Sequence, residues 1–578
     1  MKKKVLSFAL TFTLALSMAG CAQAANSPKE TGTEAPEKVT EAASEPVKEE
    51  TEAAVQETEE MPYETESEPQ SAAVDSDEAP QGISRGIYLT DSQEEPAFNF
   101  VNLNVQGITL SEESREAYPT LYDALDKAWK EDASEAKERL ADLGEQARTE
   151  YQDRMEYDET AEGMRPYAYE TKVSITRSDP RVFSVCSSFF EDTGGVHGMY
   201  GNFGKTYDSA TGETLTLSDV ITDTKAFGEA LFEKVEKEYP DVVDYLESPE
   251  DIRTQIIEEV SGSPETWALE PDGIVYFFNP YDIAAYAAGE QIIKIGYAEK
   301  PEIFAAGYLP VEGFDYIGGL PNGKDVLIDL DGDGAIDRVE LYTVEEPSEW
   351  DPEMYEMVGI NARVNGEKEF VLRDDEWEMF GFDAEIARFA SGKTYLLLSI
   401  QELNDYMSLS VIDITNGSFS KVEDYGLRHM YEGYDEETDS YGEYMMTNTR
   451  SLYLTEHFDE LSTYEAGSAY YLTEDGEIRT DAVYAVIGER DREHLTLKSL
   501  VPLTGDIVDE EGTVVEKDAS FEAGTEFVLY RVPYSPVDGK KFVDSLLSDG
   551  RIARLYYENN EICGVNEWDA FETLYYAG

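Results

Sequence analysis

SSFFEDTGGVHGMYGNFGKTYDSATGETLTLSDVI, residues 187–221, is the most informative stretch of this 578-residue chain. Gly194, Gly195, Gly198, Gly201 and Gly204 punctuate it, and glycines so closely spaced predict a series of tight turns. Asp208-Ser209-Ala210-Thr211-Gly212 reads as a hairpin turn feeding Leu215 and Leu217, and Ser218-Asp219 leads toward a helix over about 223–239. On the N-terminal side, 167–176 and 182–190 have strand character and meet at a turn around Ser178-Asp179-Pro180.

Further out, 98–105 alternates as a strand does. Residues 118–158 carry Leu121, Leu125, Trp129, Ala136, Leu140 and Leu143 at helical spacing, with a break expected near Gly144. A second helix is expected over 249–260, then strands at 267–269, 274–278 and 291–297, the first two joined by Pro271-Asp272-Gly273. Strands and helices mix without βαβ regularity, which predicts an α+β domain over 83–310. Gly318 to Gly323 reads as a linker. Strands dominate beyond it, in a β-rich module over 320–423 and a second over 424–578. The last part of the second, 524–532, 550–558 and Ile562, is expected to form a small SH3-like barrel.

The beginning of the chain gives an address. Lys2, Lys3 and Lys4 precede an apolar run from Val5 to Leu16 that is too short to span a bilayer. Met18-Ala19-Gly20-Cys21 follows and resembles a bacterial lipobox, which implies a signal peptide over 1–21 and lipidation of Cys21. The alternative is an ordinary secretory signal cut after Ala22 or Ala24. Residues 22–82, rich in Glu, Ala, Thr, Ser and Pro, cannot bury enough apolar surface to offset chain entropy and are expected to be a disordered acidic linker. The expected location is extracytoplasmic, on the cell membrane through the lipid. With Cys21 lipidated, Cys186 and Cys563 remain, and two separate thiols are expected.

Charge narrows the partners. With 123 acidic against 45 basic residues the formal charge is −78, which repels nucleic acid and favours cations and cationic proteins. One loop has metal-binding form. Asp329, Asp331, Asp333 and Asp337 occupy positions 1, 3, 5 and 9, Ala335 offers its carbonyl at 7, and Glu340 stands at 12, with Gly334 at the sharp turn. The flanks VLID and VELYTV are strand-like, so the loop resembles the calcium loops between strands of FG-GAP-type repeats rather than an EF-hand. A structural calcium ion is expected, against the plainer reading of an acidic hairpin.

Catalytic motifs are missing. His197, His429, His457 and His494 form no metal-spaced pair, and no nucleophile elbow or phosphate loop occurs. No catalytic residue is assigned, although carboxylate pairs suited to glycoside cleavage are too numerous to exclude a hydrolase. His197, Tyr200 and Asn202, set among glycines, form a candidate ligand-binding patch. The competing reading gives the glycines a purely geometric role, with His197 satisfied by backbone.

Three runs carry a family resemblance: TGGVHGMYGNFGK, the D-x-x-T-G-x-x-L-x-L-x-D run of 208–219, and the PDG…FNPYDIAAYAAG run of 271–289. Together they resemble the RsiV-like extracytoplasmic domain family, a domain of unknown function also found N-terminal to some peptidoglycan deacetylases. The resemblance covers about 86–305. It implies an α+β domain acting as a receptor, which in RsiV-type proteins binds lysozyme. The chain has neither a sigma-binding segment nor the deacetylase catalytic motif, so binding is what carries over. The expectation is a non-enzymatic, lipid-anchored envelope protein that binds a lysozyme-like protein or a cell-wall glycan. The alternatives are a cell-wall hydrolase with an unlocated carboxylate pair and a structural surface spacer.

Overall fold

In the computed structural model, strand outweighs helix. The structure describes residues 79–576, except 95–96, 159–163, 245–248, 263–264, 321–324, 331–332, 349–354, 403–406, 489–491, 493 and 538. The signal peptide, Cys21 and nearly all of the acidic linker lie outside the described residues.

The first sheet is built on β1 (Gly82–Glu94), β2 (Ala97–Leu110), β3 (Tyr167–Ser178), β4 (Val182–Asp192) and β5 (Met199–Asp208). The chain passes from β2 to its parallel neighbour β3 through α1 (Glu112–Ala117) and the 40-residue α2 (Pro119–Asp158). A long crossover of this kind is what a parallel pair demands. Leu121, Leu125, Trp129, Ala133, Ala136, Leu143 and Ala147 of α2 are buried at spacings of one helix face. The helix runs through Gly144 without the expected break. Leu143 and Ala147 pack there against Phe100 and Val101, and that burial outweighs the roughly 1 kcal/mol a helical glycine costs.

Beyond β5 come α3 (Leu217–Val220), α4 (Thr224–Glu238), α5 (Pro240–Asp244) and α6 (Pro249–Gly262). Asp223 caps α4 by accepting from the Ala226 amide at 2.9 Å. The meander β6 (Trp267–Glu270), β7 (Gly273–Phe278) and β8 (Gln291–Gly296) is buried at every position, because both faces are covered. Trp267, Ile274, Tyr276 and Ile293 meet Phe227, Leu231, Ile252 and Ile256 of the helices. Ala268, Val275, Phe277 and Ile292 instead meet Cys186 of β4 and Leu327. The result is a stack of helices, meander and first sheet.

Two sequence expectations are corrected here. The glycine-rich linker begins as a strand, β9 (Tyr316–Gly319), paired with β13 (Lys368–Arg388). Its glycines serve close approach, since a Cβ on Gly318 would lie 2.5 Å from the Thr176 carbonyl oxygen. Likewise Gly201 and Gly204 do not break their segment into turns but sit inside β5. A Cβ on Gly204 would stand 1.8 Å from the Trp267 carbonyl oxygen, so only glycine lets the meander approach this closely.

The second sheet is an antiparallel succession of β10 (Asp325–Ile328), β11 (Asp337–Pro347), β12 (Tyr355–Val364), β13, β14 (Thr394–Glu402), β15 (Met407–Asp413) and β16 (Ser420–Tyr425). After β17 (Arg428–His429), the hairpin β18 (Tyr431–Asp435) and β19 (Ser440–Tyr444) returns to the first sheet and pairs with β1, so the order there is β18-β19-β1-β2-β3-β4-β5. The second sheet thus ends at Tyr425, close to the boundary expected at 423/424, and the strands beyond it are shared between the first and third sheets. The third sheet takes β17 and the strands from 452 onward. In it 526–533, 541–546 and 552–558 are neighbours and continue through 484–487 and 464–472 to 452–458. Cys186 and Cys563 are both free thiols.

Candidate functional site

β5 is the last strand of its sheet, and the 12-residue connection between β7 and β8, Asn279–Glu290, reaches its edge. Asn279 acts there as a substitute strand. Its Oδ1 accepts from the Asn202 amide at 2.7 Å, and its Nδ2 donates to the Asn202 carbonyl at 3.1 Å. Asn202 Nδ2 donates in turn to Glu290 Oε2. Asn202, a predicted ligand residue, is thus a buried clasp, 2 % exposed, between two segments.

His197 and Tyr200 reach the surface beside that clasp. The exposed His197 ring stacks on Tyr286 with centroids 3.7 Å apart, and its Nδ1 lies 3.1 Å from the Gly198 carbonyl oxygen. Tyr286 Oη donates to the same carbonyl at 2.6 Å. Tyr200 and Tyr281 meet the Tyr286 ring at 5.7 and 5.8 Å. Burial first, and then the Glu290 carboxylate, push the Tyr200 hydroxyl above its usual range, so it stays a neutral donor. The chain therefore brings its GGVHGMYG and FNPYDIAAYAAG motifs together on one surface. The Asp208–Asp219 motif is elsewhere and structural: Asp208 Oδ1 accepts from the Ala210 and Thr211 amides at 3.0 and 2.9 Å and closes the hairpin turn.

Sequence reading missed most of this surface. Phe190 pairs across the strands with Tyr200 and is 41 % exposed, and Tyr281 is 57 % exposed, whereas Phe203, stacked on Phe189 at 5.5 Å, lies on the opposite face of the sheet. Beside Phe190 and Tyr200 lies a cavity of about 260 Å³, lined by Phe189, Phe190, Tyr200 and Asn202 with Glu170, Lys172 and Glu290 at its polar margin. The one available signal was Phe189-Phe190 at the end of a strand, where one of two adjacent aromatics has to face away from the core.

The acidic loop joins β10 to β11. Gly334 takes φ +88°, as the sharp turn requires, and its amide donates to Asp329 Oδ2 at 3.0 Å. The Ala335 amide donates to Asp333 Oδ1 at 2.8 Å, and the Leu330 amide to Asp337 Oδ2 at 3.1 Å. Asp331 lies outside the described residues. Glu340 is part of β11, and its carboxylate faces Arg363 at 3.2 Å rather than the loop. The carboxylates of Asp329, Asp333 and Asp337 thus accept from amides of the loop, and that of Glu340 lies away from it. Among the described residues no group of three or more His, Cys, Asp or Glu side chains is already arranged around one point.

Among the described residues Ser399, His429 and Glu385 lie near one another in a serine–histidine–carboxylate order. Ser399 Oγ is 3.4 Å from His429 Nε2, which is 3.9 Å from Glu385 Oε1, while Nδ1 contacts the Tyr444 carbonyl oxygen at 2.9 Å. All three side chains are largely buried where β13, β14, β17 and β19 converge. Burial pushes Glu385 up to about 7 despite the pull of His429. Burial opposes charge on His429, but Glu443 and Glu385 outweigh it and raise its pKa. Among the described residues, no helix is long and apolar enough to cross a membrane.

The layered domain and its looped edge define the class, a β-meander domain under a helical layer that presents a surface at its β7–β8 connection. Residues 218–298, which hold that helical layer and the meander, match the model of a family described as a protein of unknown function, DUF3298. The match includes Asn279, Tyr286 and Glu290 but stops short of His197, Tyr200 and Asn202. A DUF3298 family structure from Bacteroides fragilis is 16 % identical, with 40 % of this chain and 96 % of that one covered at a TM-score of 0.32. A second, from Pseudomonas aeruginosa, is 18 % identical, with 39 % and 96 % covered at 0.25. No curated protein matches.

Proposed function

We propose that the protein is a binding or sensing component of the bacterial cell envelope, tethered through Cys21, and that the aromatic surface around Tyr200 and Tyr286 receives its ligand. One observation carries this reading. Phe190, Tyr200, Tyr281 and Tyr286 gather from β4, β5 and the β7–β8 connection, Phe190 and Tyr281 well exposed, on a chain otherwise dominated by carboxylates. A monomer gains nothing from leaving such a group in water, whereas an interface gains anchor residues of the type that dominates binding energy. Glu170 and Glu290 at the margin suit a cationic partner, as does the chain's net charge. The resemblance to RsiV-like domains points the same way, toward a lysozyme-like protein. The loop Asp329–Asp337 belongs to this reading as a calcium staple on the second sheet, held by Asp329, Asp333 and Asp337.

The test is a calorimetric titration of the purified protein with hen lysozyme at low and at moderate salt. Saturable binding that survives moderate salt, and is lost in F190A/Y200A, is expected. Binding that salt abolishes, or that the double variant retains, would leave only non-specific attraction to an acidic chain.

A further inference from the structure

A cavity of about 790 Å³ opens far along the chain from the aromatic surface, between strands 452–458 and 464–472, the stretch 494–496 and the C-terminal segment 573–575. We propose that this cavity is a saccharide-binding site. The chemistry of its walls is the first reason. Among the described residues Leu495 is the only aliphatic side chain lining it, and the rest is hydroxyl, imidazole, phenol, guanidinium and carboxylate. Pockets for apolar small molecules have the reverse composition. The hydroxyls of Thr496 and Thr573 and the rings of His457 and His494 each both donate and accept, as successive sugar hydroxyls require.

Charge is the second reason. Arg428 pairs with Glu465, and His457 Nε2 lies 3.6 Å from the other oxygen of that carboxylate. The fixed charges of the wall cancel, so it is suited to a polar, hydrogen-bonding ligand more than to an ion. A metal ion is also disfavoured, because these histidines and Glu465 do not converge as a ligand set. The volume lies within the range of sites that enclose drug-sized ligands, which leaves room for a few sugar rings.

The third reason is the mouth. Tyr575, part of the lining, is 65 % exposed. An exposed ring of this kind offers its electron-rich face to the C–H side of a sugar. The wall is preformed: the Thr463 amide donates to the Tyr575 carbonyl at 2.8 Å, and the Tyr575 amide to Ser462 Oγ at 3.1 Å. The site is separate from the aromatic surface on β4 and β5, and neither requires the other.

The test is a titration of the full-length protein with soluble tetramers of N-acetylglucosamine, glucose and galacturonic acid. At least one is expected to bind with a Kd at or below the millimolar range. T496W, which fills the cavity from an exposed strand position, and H494A are each expected to weaken it more than about tenfold. Both variants should keep the wild-type melting temperature, and F190A/Y200A should bind the saccharide as the wild type does. The inference is overturned if none of the three tetramers binds, or if T496W and H494A bind like the wild type.

Discussion

The two surfaces, on β4–β5 and around His457 and His494, are built in opposite ways. The first is aromatic, and it exists because two separate motifs are clasped together through Asn202, Asn279 and Glu290. The second is concave and polar, and its walls come mostly from strands that face each other, as His457 does Glu465. The first therefore depends on a few close approaches and the second on ordinary strand pairing. The difference teaches that one chain can build an aromatic and a polar surface by different means, and the two proposals accordingly assign them different ligands, a protein and a saccharide.

The strongest way to break the comparison is G204V. Its side chain would collide with the Trp267 carbonyl and part β5 from the meander, and a loss of about 4 kcal/mol in a urea titration is expected. A loss below about 1 kcal/mol would show that the close approach is not what holds the two segments. Y286A comes next. Removing the ring on which His197 stacks should weaken lysozyme binding by about 10- to 100-fold and leave saccharide binding unchanged, as calorimetry would report.

A smaller effect concerns pH. Glu385 has its pKa raised to about 7 from 4.5, so its stabilising contribution is complete below 4.5 and lost as pH rises through about 7. His429, also raised, has the same sign: its contribution is complete below 6.5 and lost above that. The unfolding free energy from urea titration should therefore fall between pH 5 and pH 8 by more in the wild type than in E385Q, by about 1–2 kcal/mol. Equal pH dependence would contradict an ionisable seam between β13, β17 and β19. The smallest effect is that of calcium. Chelation is expected to lower the melting temperature by about 2–4 °C and D329N to abolish the response, which differential scanning calorimetry would measure.

Much of the fold was legible because local pattern and burial agree. Leu121, Leu125 and Trp129 mark α2, Asp223 marks the start of α4, and the alternation of 98–105 marks β2. What failed was non-local. The pairing of β19 with β1 joins residues more than 300 apart in the chain, and nothing in either strand names its partner. Gly201, Gly204 and Gly318 were misread because a glycine required by φ and one required by a neighbouring backbone look alike in sequence. Of the candidate site, His197 and Tyr200 were found through their glycine setting and do reach the surface. Asn202 turned inward, and Tyr281, Tyr286 and Phe190 became visible only once two distant segments met.

Hydrogen–deuterium exchange of the protein with and without hen lysozyme tests the central claim most directly. The account predicts slowed exchange confined to residues 187–203 and 279–290, with 452–472 and 494–496 unchanged. Protection spread evenly over the acidic surface, or absent from those two segments, would contradict it.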